Sequence, residues 1–84
     1  MVHVIIGQGP IQIIEQRVAA LSNGWQRLAQ GVWLMGSNHP PGILRDQFND
    51  LPGARVAVLR LHRNWATGAM PDVANWLQAA HGIF

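Results

Sequence analysis

The chain has 84 residues, with six arginines against four acids for a formal net charge of +2, and it contains neither cysteine nor lysine. A chain this short closes one small core and no second, and the lack of cysteine excludes disulfides, thiolate nucleophiles and cysteine-bound zinc. The calculated isoelectric point of 11.3 overstates the basicity, because without Lys, Tyr or Cys nothing titrates between histidine and arginine, so composition alone does not describe a polybasic nucleic-acid binder.

Residues 1–84 are therefore read as a single domain. Apolar runs reach only about six residues, well below the ~20 needed for a membrane span, and no basic segment followed by an apolar leader opens the chain. The expectation is a cytoplasmic protein with no membrane partner.

Val2 to Ile6 is almost wholly apolar, the pattern of a central strand covered on both faces. Pro10 fits the first position of a helix in which Ile11, Ile14, Val18 and Leu21 recur at helical spacing, with Asn23-Gly24 as the stop. Trp25 to Met35 holds two apolar clusters, read as two short strands or one bent strand with a bulge at Gly31. In the turn sequence SNHPPG, Ser37 or Asn38 is expected to cap the next helix, with Pro41 in its first turn. There Leu44, Phe48 and Leu51 share one face, Asp46, Asn49 and Asp50 lie opposite, and Leu51-Pro52-Gly53 ends the element.

Arg55 to His62, RVAVLRLH, reads as the clearest strand, apolar on both faces in its first half, and is expected mid-sheet. Pro71-Asp72 opens a last helix with Val73, Trp76, Leu77 and Ala80 as its buried stripe. Trp25, Trp33 and Trp76 each sit in apolar periodic segments, which makes them core or interface anchors. This succession predicts an α+β, ferredoxin-like sandwich, a mostly antiparallel sheet with helices on one face. The other sheet face, apolar and left open, is expected to pack on a second copy.

The residues that could carry chemistry are few. The stretch Gly7-Gln8-Gly9-Pro10 follows a strand and opens a helix, as a phosphate cradle would, yet Gln12 stands where a dinucleotide fingerprint needs a small residue. The next acid after Glu15 is Asp46, too far along for a ribose contact, so a plain strand-to-helix turn is the reading. The four histidines form no ligand-spaced pair, and Asp46 with Asp50 reads as a solvated helix face. Ser37 and His39 lack an acid to orient the ring. No catalytic residue, metal ligand or cofactor is assigned. The densest basic and aromatic group is Arg55, Arg60, His62, Arg63 and Trp65, the candidate nucleic-acid contact.

The order of elements, with Trp25, Val32 to Met35, Ile43 to Asp46, Val56 to Leu59, Trp65-Ala66 and Trp76-Leu77 as the matching pieces, resembles the small CRISPR-associated proteins of the Cas-two type and their SinR-like relatives. The resemblance spans most of the chain and implies a ferredoxin-like fold, a homodimer joined through its sheets and a link to nucleic-acid handling. Nuclease members of that family carry an Asp at the end of the first strand, paired across the dimer to hold a divalent metal, and Gly7-Gln8-Gly9 stands there in this chain. Without that carboxylate the metal has no charged ligand. The expectation is a non-catalytic homodimeric interaction module whose partner is nucleic acid or protein. The alternatives are a metal-dependent endonuclease of the same family and a small toxin- or phage-type inhibitor that binds a protein.

Overall fold

The computed structural model describes residues 1–62 and 65–79. In chain order the elements are β1 (Val2–Gln8), α1 (Ile11–Leu21), β2 (Gly24–Ala29), β3 (Val32–Gly36), α2 (Pro41–Asp46), β4 (Arg55–Leu61) and α3 (Pro71–Ala79). Among the described residues the α+β expectation holds as a four-stranded sheet and three helices, with every strand pairing antiparallel.

The strands lie in the order β2-β3-β1-β4, so β1 is inner and β4 is an edge. The expected mid-sheet position for β4 is thus corrected. Its apolar run is compatible with burial on both faces, but among the described residues only β1 pairs with it, over seven register pairs from Val2↔Leu61 to Gln8↔Arg55. The Trp25 to Met35 region forms two strands joined by the Gln30-Gly31 turn, and the irregularity falls between Arg27 and Ala29 instead of at Gly31. Gly31 takes φ +82, a left-handed conformation that glycine enters without steric cost, and a Cβ there would stand 2.7 Å from the Gly7 carbonyl oxygen.

Alternation along the strands assigns two faces. His3, Ile5 and Gly7 share one with Trp33, Met35, Val56 and Val58; Val2, Val4 and Ile6 share the other with Leu34, Ala57, Leu59 and Leu61. On the first face Ile14 and Val18 of α1, Leu44 of α2 and Phe48 just after it close a buried cluster over Ile5, Trp33 and Met35. Each such aliphatic side chain stabilises the fold by about 1.5–3 kcal/mol when fully buried. On the second face Val73 and Leu77 of α3 pack on Val2 and Leu34, with Trp65 and Trp76 at the margin. Helices on one face only was therefore incorrect: α3 takes the opposite side, because its Val73/Leu77 stripe fits the apolar surface that α1 and α2 leave bare. Trp33 is fully buried, and Trp25 and Trp76 are half-buried against their clusters, which makes all three core residues of this chain.

Local details shift by a residue or a turn. Pro10 sits at the N-cap of α1, one place earlier than expected. Pro41 does occupy the first turn of α2, but neither Ser37 nor Asn38 caps it; the Ser37 hydroxyl accepts the His39 N–H at 3.1 Å and so closes the turn before the helix. Helix α2 stops at Asp46, after which Phe48 and Leu51 N–H groups donate to carbonyls three residues back, at 3.1 and 3.2 Å. This keeps Phe48 buried under a tighter turn. Ala80 of the expected α3 stripe lies outside the described residues.

Candidate interaction surface

The turn after β1 is packed against its own chain. Gly7 N–H donates to the Gly31 carbonyl at 2.8 Å, and Ile11 N–H donates to the Gly9 carbonyl at 2.8 Å, so these two amides are turned inward. Gly9 has φ +100, and a Cβ there would run into the Gly53 carbonyl oxygen. A left-handed, closely apposed glycine is the requirement met here, in line with the plain turn expected.

Three of the four acids are committed to guanidinium groups. Glu15 accepts from Arg27 Nε at 2.5 Å and Nη2 at 2.6 Å, and also from the Trp33 indole N–H at 2.9 Å. The Arg27 and Trp33 donors hold its carboxyl below the usual glutamate range. Asp50 receives both terminal nitrogens of Arg17, at 2.8 and 3.0 Å, which likewise lowers its pKa. Asp46 pairs with neighbouring Arg45 at 3.0 Å. Asp46 and Asp50 therefore face different partners and do not converge. Among the described residues no three His, Cys, Asp or Glu side chains gather as a metal-binding group. No sequence pattern announced the Glu15–Arg27–Trp33 contact, since its members are 12 and 18 residues apart.

The candidate basic group is dispersed. Arg55 and Arg60 stand at opposite ends of β4 on opposite faces, five residues apart and so roughly 17 Å along the strand. His62 follows the strand end and is exposed, while Trp65 packs into the cluster of Val2 and Leu34. Arg63 lies outside the described residues. Beside them, His3 is fully buried, and neither ring nitrogen has a hydrogen-bond partner among the described residues. Burial, then the N-terminal amine and Arg60, push its pKa down; the Met35 backbone opposes this trend but is not in hydrogen-bonding geometry.

The surface that stands out is apolar. Helix α3 covers only one end of the second face, so that Ile6 is 41% and Leu59 50% exposed on adjacent strands, with exposed Ala57 between them. A shallow groove lined by Ile6, Gln8, Arg55, Val56 and Ala57 borders this strip. Both large side chains belong to a regular sheet and so are held in place at little entropic expense to a partner. No helix among the described residues is long and apolar enough to cross a membrane.

Set against family models, curated proteins and solved structures, the chain has no match in any of the three.

Proposed function

We propose that this chain is a ferredoxin-like, homodimeric interaction module of the Cas-two-like and SinR-like kind, built to associate through its sheet and not to catalyse. The strand order with β3 inserted between β1 and β2 supports the ferredoxin-like reading, since α1 then links β1 to β2 as a split crossover. One observation carries the function: the apolar strip of Ile6, Ala57 and Leu59 remains open on a sheet whose other face and far end are covered by helices. The end of strand one adds support: of Gly7-Gln8-Gly9, which stand where the family's carboxylate is, Gly7 abuts Trp33 and Ile14 and Gly9 abuts the Gly53 carbonyl, so neither glycine position has room for a metal-binding acid.

Light scattering over a concentration series tests the proposal. The expected result is a particle of twice the 9.3 kDa chain mass, weakened to monomer by Leu59→Asp without loss of the folded state. A wild-type chain that remains monomeric at high micromolar concentration would refute it. Contact with nucleic acid by a dimer would involve Arg60 and His62 at one end of β4 and Arg55 at the other. Binding that weakens steeply with salt, and less steeply in Arg60→Ala, is the outcome expected of that contact.

A further inference from the structure

We infer that the second copy is taken up along the β4 edge, β4 pairing antiparallel with its counterpart around a two-fold axis at Val58 to give one continuous sheet across the dimer. This rests on the self-association proposed above and specifies its geometry.

An edge strand offers unpaired backbone N–H and C=O groups, and proteins blunt such edges with bulges, prolines and charges. The two edges of this sheet differ. Edge β2 is interrupted between Arg27 and Ala29 and carries Arg27 at the break. Edge β4 runs unbroken through seven register pairs, and between Arg55 and Arg60 it holds only Val56, Ala57, Val58 and Leu59. It has no bulge, and its two arginines flank an uncharged centre where the open apolar strip reaches the edge.

The charges favour a copy of the same strand as occupant and select its register. With the axis at Val58, all seven strand residues are paired. Arg55 then meets the partner's Leu61, Val56 meets the partner's Arg60, and Ala57 meets the partner's Leu59. No arginine opposes another, and the apolar centre is self-complementary. An axis at Leu59 pairs only residues 57–61 within the strand, and an axis at Arg60 would set that residue against itself, a like-charge contact. An axis at Ala57 pairs only residues 55–59 within the strand. A one-residue slip would oppose the helix-covered face to the open one.

Because the chain has no cysteine, introduced ones report on single positions. Oxidation of mixed Ala57→Cys and Leu59→Cys chains should yield cross-linked dimer on the order of tenfold faster than either variant alone, since opposite residues lie within disulfide reach and diagonal ones do not. Val58→Cys alone should also link to itself. That contact lies on the helix-covered face, so stacking of the two open faces cannot produce it. Self-linking of Ala57→Cys or Leu59→Cys as fast as cross-linking in the mixture, with Val58→Cys silent, would overturn the pairing about Val58. A dimer by light scattering that gives none of these links would overturn edge pairing and leave self-association standing. A monomer would remove both.

Discussion

Replacing Gly7 by alanine is the sharpest test of how tightly the first face is closed. A Cβ on Gly7 would stand 2.9 Å from Trp33 Cζ3 and 3.2 Å from two methyl carbons of Ile14. Ordinary carbon contacts begin near 3.5 Å. The aliphatic neighbour can give a little; the indole cannot easily, because it is fully buried and its N–H is held by Glu15. Overpacking of this kind costs about 1–3 kcal/mol, while the alanine returns roughly 0.4–1 kcal/mol by restricting the unfolded chain. The net loss should be about 1–2 kcal/mol. Against a total near 4–13 kcal/mol for a chain of this length, that lowers the melting temperature by roughly 4–16 °C. Thermal and urea unfolding followed by circular dichroism would measure it. A double-mutant cycle with Trp33→Phe, which removes the obstructing ring edge, should return a coupling energy of about 0.5 kcal/mol or more in the relieving direction. Equal or greater stability of Gly7→Ala would refute the close approach of α1, β1 and Trp33, and with it the argument that a carboxylate cannot be housed there.

Glu15→Gln removes a charged acceptor from both Arg27 and Trp33, so the indole emission should change and the fold should weaken; the same signal should move on acidification. Glu15 has a lowered folded pKa, so its stabilising effect is present above the ordinary glutamate value of about 4.3 and is lost as pH falls through the folded value, a dependence the Gln variant should lack. His3 is a base with a lowered folded pKa, and the unfolded chain therefore binds more protons as pH drops below about 6.5. Stability should decline from there until the folded value is passed, and His3→Leu should flatten that part of the melting-temperature profile. Gly9→Ala should destabilise more than Gly53→Ala, since both need positive φ but only Gly9 faces a backbone carbonyl; equal losses in chemical denaturation would contradict that difference.

The element succession was legible because periodicity is a local signal. Ile14 and Val18 had to share a helix face, and the apolar run Val2 to Ile6 did become an inner strand, though it is not covered on both faces throughout, since Ile6 stays exposed. The same signal misplaced β4. An apolar run on both faces is equally the mark of an inner strand and of an edge strand with an unburied strip, and nothing in RVAVLRLH distinguishes the two. The spacing of Val73 and Leu77 showed that α3 packs, but not which side of the sheet it chooses, which depends on the surface left by α1 and α2. Of the candidate contact residues, sequence proximity grouped Arg55 with Arg60, while strand pleating separates them by an odd number of residues and hence across the sheet. The Glu15 contacts depend on tertiary closure and left no trace in the chain order.

The sheet separates two apolar clusters, one sealed by α1 and α2 and the other by α3 alone. Cooperativity between them passes only through the shared backbone of the strands. Helix α3 is thus the element most able to detach without dissolving the remainder, and its amides should exchange with solvent by local opening before those of β1 and β3. Such detachment would uncover Val2 and Leu34 and extend the sticky strip along the whole sheet. Helix α3 thus keeps Val2 and Leu34 off the surface, and disrupting its Val73/Leu77 stripe should be felt first as poor solubility.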